Sequence, residues 1–178
     1  MSMKIFYQMI LAFLATTSFT FADDNSSGHG KGRLDVEPVT MPLYQEECGS
    51  CHFAYQPSLL PLASWRNIMN TLDKHYGENA ELDSETQNRL LDYFERHAAD
   101  RADFSRFSRV YRFETKPPEA ISSSRYFVRQ HNEIPERMVA GNPKVGSFAQ
   151  CQACHLDAER GSFNEHRVEI PGWGSWDD

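Results

Sequence analysis

The 178-residue sequence predicts a mainly α fold in two unlike parts, a helical unit over residues 42–105 and a smaller, irregular unit over residues 106–178. Three observations predict it. Apolar residues recur at helical spacing between about residues 42 and 100. That periodicity gives way to an arginine-rich, proline-bearing stretch beyond Asp100. One five-residue pattern, Cys-x-x-Cys-His, occurs once in each part, at residues 48–52 and 151–155, and the two copies hold all four cysteines.

The elements follow in order. Residues 1–22 carry Lys4, an apolar run from Ile5 to Phe21 and a small residue at Ala22 just before Asp23 and Asp24, the layout of a secretory signal peptide. Gln8, Thr16, Thr17, Ser18 and Thr20 interrupt the run, which suits a membrane anchor poorly. The mature chain is therefore expected to be exported and soluble, in the periplasm. Residues 23–41 read as a flexible leader, glycine- and serine-rich at its start, with His29 solvated. A first helix carries "LYQEECGSCHFAY". In "SWRNIMNTLDKHYG" a second stripe places Trp65, Ile68, Met69, Leu72 and Tyr76 on one face, with Gly77 as a stop. Ser84 to Gln87, "SETQ", reads as a capping box opening a third helix through Leu90, Leu91 and Phe94 toward Ala98.

Beyond Asp100 the chain reads as an irregular crossing segment, with a short strand near Val110 to Phe113. "SSSRYFVRQHNEIP" reads as a short helix ending near Pro135. The tail "IPGWGSWDD" is too punctuated for a regular element, although Trp173 is a candidate cover for a cofactor edge. The sequences around the two Cys-x-x-Cys-His copies do not align, so two unlike units are expected rather than a duplication.

A reactive dithiol fits the pattern poorly, because no βαβ context surrounds either copy. A zinc site could use four cysteines but leaves the histidine after each pair unexplained. Covalent haem c attachment uses all three positions: the thiols of Cys48 and Cys51, and of Cys151 and Cys154, add across porphyrin vinyl groups, while His52 and His155 ligate iron from the proximal face. Two covalently attached haem c groups are therefore expected. Helix with the motif, loop, helix, helix is the plan of a small class I cytochrome c, so residues 42–105 should form such a domain and residues 106–178 a smaller haem-binding one.

Function then turns on the distal ligands, because a second strong axial ligand closes the iron and leaves electron transfer. For the first haem His75, at the edge of its helix's apolar face, competes with His97 on the following helix and with Met69. For the second, His131 shares a face with Phe127 and Ile134, and its rivals are Met138 and His166.

Charge is uneven. Residues 23–88 carry eleven acidic against four basic side chains, residues 89–144 eight against eleven, and residues 145–178 six against two. Arg101, Arg106, Arg109, Arg112, Arg125 and Arg129 form a set from which at least one contact to a haem propionate is expected. An acidic haem-bearing surface would steer a basic partner, and nucleic acid is not expected as one.

Taken together, "LYQEECGSCHFAYQPSLLPLASW", "LDKHYGENAELD", "RQHNEIP", "CQACHLDAERGSF" and "RVEIPG" resemble the small soluble dihaem cytochrome c family over about residues 42–172. The resemblance implies a class I cytochrome c fold followed by a smaller haem domain of little regular structure. It also implies bis-histidine ligation by His52 with His75 and by His155 with His131. For partners it implies a monohaem oxygen-binding cytochrome c and a membrane b-type cytochrome fed by quinol, with membrane contact only through a partner. The expected role is an electron carrier and not an enzyme. The competing reading is a dihaem enzyme, a peroxidase or small-molecule reductase, or a ligand-binding protein with one open iron.

Overall fold

Helix α1, Pro42–Gly49, starts on a proline whose fixed φ suits the first helical turn, and it turns Tyr44 inward to near-complete burial. The computed structural model describes residues 34–103, 105–111 and 116–176. The expected signal peptide and residues 23–33 of the expected leader lie outside them.

Helix α2, Leu62–Met69, and helix α3, Ser84–His97, pack against each other and against α1. Trp65 stacks on Phe94 with centroids 4.3 Å apart and planes 2° apart, and Tyr44 meets both rings edge-on. Trp65 also donates its indole N–H to Pro57 O at 2.6 Å, so the polar end of this buried ring is satisfied. Leu60, Leu62, Met69, Leu90, Tyr93 and Ala98 complete this first core.

Two boundaries differ from the sequence expectation. The second helix ends at Met69, not at Gly77: the Thr71 hydroxyl bonds back to Asn67 O, a 3-10 turn takes Leu72–Lys74, and Tyr76 and Gly77 then adopt positive φ of 51° and 101°. His75 therefore sits on a reversal and not on a helical stripe. At α3 the cap is Asp83, whose carboxylate accepts from Glu85 N and Thr86 N at 2.9 and 3.0 Å; Ser84 is already the first helical residue.

The crossing segment is irregular but firmly held. Ala99 N donates to Leu60 O, Leu62 N to Asp100 Oδ1, Ser105 Oγ to Ser58 O and Ser64 Oγ to Pro118 O. The short strand expected near residues 110–113 is instead helix α4, Ser108–Tyr111, which sets Val110 and Tyr111 against Phe107 and Leu59; residues 112–115 lie outside the described residues. Helix α5, Arg125–His131, opens as expected, capped by the Ser124 hydroxyl accepting from Phe127 N.

The remainder is a run of short 3-10 turns and one hairpin. Strands β1, Glu169–Ile170, and β2, Gly174–Ser175, pair antiparallel with Ile170 opposite Gly174. The tail thus does form a regular element, because Gly172 and Gly174 adopt the positive φ that a tight reversal needs. A small second core of Met138, Val139, Val145, Val168 and Ile170 lies behind this hairpin.

The end of the expected leader is not loose. Asp35 N and Val36 N both donate to Gly161 O, Val36 is fully buried, and Val36 bridges to Ser105. Gly161 has φ +82°, and a Cβ there would lie 2.2 Å from Val36 O, so the approach requires glycine. All described residues belong to one compact unit, residues 31–178. Among them, no helix is long and apolar enough to cross a membrane.

Candidate haem sites

The first site is built on α1 and the turn that follows it. Cys48 lies in the last turn of α1, with the exposed Cys51 and the half-buried His52 just beyond. His52 Nδ1 lies 2.8 Å from Phe53 O, so a proton on Nδ1 donates to that carbonyl and leaves Nε2 with a free electron pair, the form a metal takes. Facing it is His75, with ring centroids 6.1 Å apart and planes 26° apart. Two imidazoles on opposite faces of one metal ion, each bonded at about 2 Å, place their centroids about 6 Å apart. Burial, and then the neighbouring His52, push the His75 pKa down and so favour its neutral, ligating form. Tyr76 holds the strained turn in place by donating to Glu119 O at 2.5 Å.

The second site is a cavity of about 750 Å³ whose walls include both cysteines of the second motif, His131 and His155. These two imidazoles again lie 6.1 Å apart between centroids, but their planes are 70° apart. His131 Nδ1 lies 2.9 Å from Phe127 O one helical turn back, which orients the ring from within α5. Phe127 stacks on His131 at 3.9 Å, Phe148 meets it edge-on at 5.6 Å, and Phe163 lies 5.5 Å from His155. Burial, and then the neighbouring His131, lower the His155 pKa to about 4, with Asp35 pulling the other way. Its Nδ1 is buried with no hydrogen-bond partner among the described groups.

The rival ligands stand elsewhere. His97 Nδ1 lies 3.4 Å from Glu37 Oε2, and the ring packs on Tyr93 at 4.6 Å. Met69 is 2% exposed inside the first core. Met138 belongs to the second core and does not line the cavity. His166 is at the cavity rim on an exposed 3-10 turn. Of the arginine set, Arg106 lines the cavity, Arg101 lies beside Asp100, and Arg129 lies over Tyr126; Arg112 is outside the described residues.

The profile of the dihaem cytochrome c family matches residues 44–163. The chain belongs to the dihaem cytochrome c family. It is similar to a solved dihaem cytochrome c from Shewanella baltica OS155, with 45% identity, a TM-score of 0.63, and coverage of 76% of this chain and 97% of that one. It is also similar to the dihaem cytochrome c from Rhodobacter sphaeroides, with 38% identity, a TM-score of 0.62, and coverage of 71% and 99%. No curated protein matches the chain.

Membership of the dihaem cytochrome c family implies electron transfer and two covalently bound haem c groups. The donor set of this dihaem cytochrome c fits them. Burial first, with Glu47 adding, pushes the Cys48 thiol up to about 12, and burial does the same for Cys151. Burial thus favours the neutral thiol at Cys48 and Cys151, opposite to the lowered pKa of a reactive thiol. Among the described residues no three His, Cys, Asp or Glu side chains converge on a metal-sized site, so the four cysteines do not gather as zinc ligands would.

Sequence reading passed over two contributors. Tyr55 packs on His52 at 5.0 Å and donates its hydroxyl to Ala149 O at 2.9 Å, two residues before Cys151, so one side chain links the first site to the loop leading into the second motif. Its position three residues after the first motif was the available signal. Asp35, in the expected leader, reaches the wall of the second cavity, and nothing in the local sequence marks it.

Proposed function

We propose that this protein is a periplasmic electron relay in which His52 with His75, and His131 with His155, are the axial ligands of two low-spin haem irons. Cys48 and Cys51, and Cys151 and Cys154, are the thioether positions. The observation that carries the reading is the repeated 6.1 Å imidazole pairing beside each Cys-x-x-Cys-His motif. A haem bound at each place supplies a one-electron Fe(III)/Fe(II) couple, at a lower potential than methionine ligation would give.

The protein's own part is positional. Phe53 O and Phe127 O fix the tautomers of His52 and His131, so that each presents an unprotonated nitrogen. Phe127, Phe148 and Phe163 give the second site an aromatic lining against both imidazoles. Tyr55 ties the first site to the loop before the second motif and fixes their spacing. A membrane b-type cytochrome fed by quinol is the proposed donor, and a monohaem oxygen-binding cytochrome c the proposed acceptor. Family likeness supports both, and the membrane is reached only through a partner.

The test is an absorption and electron paramagnetic resonance spectrum of the haem-loaded protein, with carbon monoxide added after reduction. Two low-spin signals of different shape, one for each ring-plane angle, and no reaction with carbon monoxide are expected. A high-spin or carbon monoxide-binding centre would replace the relay with an enzyme or a ligand-binding protein.

A further inference from the structure

Asp35 and Arg106 form a charged pair in the wall of the cavity that holds His131 and His155. Arg106 donates from its guanidinium to Asp35 Oδ1 at 3.1 Å, and Phe163 N donates to Asp35 Oδ2 at 2.8 Å. The backbones lock the pair in place: Asp35 N donates to Gly161 O and Arg106 N donates to Asp35 O. The Asp35 carboxylate is only 12% exposed, whereas the guanidinium is 52% exposed and lies against the Tyr126 ring at 5.9 Å. Among the described lining residues, one other carries a fixed charge, Glu165, and its side chain is 78% exposed. Phe163, whose N–H the carboxylate accepts, also faces the His155 ring at 5.5 Å.

We propose that the Asp35–Arg106 pair sets the reduction potential of the second haem. The proposal rests on the reading that His131 and His155 ligate an iron in this cavity. When one electron from a mediator converts Fe(III) to Fe(II) there, the site loses one positive charge, so a nearby anion opposes the step and a nearby cation favours it. The two partners act with opposite sign, and the shielded carboxylate acts through the less polarisable surroundings. The pair is a potential-setting device and not an axial ligand, the two facing imidazoles being those of His131 and His155.

The test is a spectroelectrochemical titration of the haem-loaded wild type and of D35N, R106Q and the D35N/R106Q double variant, with the two haems resolved by their paramagnetic signals. D35N leaves the arginine cation uncancelled and raises the second potential. At a fixed poise the ratio of reduced to oxidised second haem is expected to rise about tenfold, which is about 59 mV for a one-electron couple. R106Q lowers that potential, and the double variant returns it toward the wild type, while the first haem stays where it was. Loosening of the fold would move both single variants in one direction, so shifts of the same sign overturn the proposal. So do unchanged potentials with both haems still low-spin, which leaves the ligation reading intact. A high-spin second haem in the wild type removes the ligation reading and this proposal together.

Discussion

The first site leans on a core of its own, whereas the second site has little core besides itself. Around His52 and His75 the rings are nearly parallel, and behind them α1, α2 and α3 enclose Trp65, Phe94, Tyr44 and Leu90. Around His131 and His155 the rings are 70° apart, and the structure behind them is three valines, an isoleucine and a methionine on short turns and the β1–β2 hairpin. The first region is therefore expected to depend less on its cofactor for folding than the second.

The strongest way to break this contrast is to remove the attachment thiols in turn. Cys151→Ala with Cys154→Ala should lose one haem and, with it, protease resistance across residues 125–176. Cys48→Ala with Cys51→Ala should also lose one haem but keep α2 and α3 protected. Intact mass and limited proteolysis read both outcomes, and equal protection in the two variants would erase the distinction.

Distal histidines come next. His75→Ala and His131→Ala should each open one iron, seen as a high-spin signal and carbon monoxide binding to half of the haem. The His75 variant should react faster, because its site borders exposed Cys51 and Tyr76, while the other is walled by aromatic rings. Stopped-flow rates decide the order.

Trp65→Ala should cost about 3–5 kcal/mol in denaturant unfolding, since it empties a buried, stacked and hydrogen-bonded indole position. The spectrum of the second haem should be unchanged below the transition. The smallest effect is expected for Tyr55→Phe, which removes one hydrogen bond between the two regions, about 1 kcal/mol by the same measurement. An equal loss in a variant already lacking the second haem would show that the bond does not join the regions.

The same contrast explains what could be read in advance. The two Cys-x-x-Cys-His motifs, the stripes around Trp65 and Phe94, and the Ser124-capped helix bearing His131 are local patterns, and local patterns are legible. The stop at Met69 was not, because a threonine back-bond and a positive-φ tyrosine outweighed an apolar period that continues to Tyr76. The hairpin at residues 169–175 was masked by the glycines that make its turn possible. The anchoring of Asp35 and Val36 depends on Gly161 and Ser105, partners too far along the chain for any window to see.

That anchoring also imposes an order of events. The bond from Phe163 N to Asp35 spans 128 positions, and closing so large a loop is entropically late compared with any helix of the first region. The chain as far as Gly161 must be in place before Asp35 and Val36 can settle against it. The segment at Asp35 and Val36 is thus a clasp that shuts only after the second motif has taken its place.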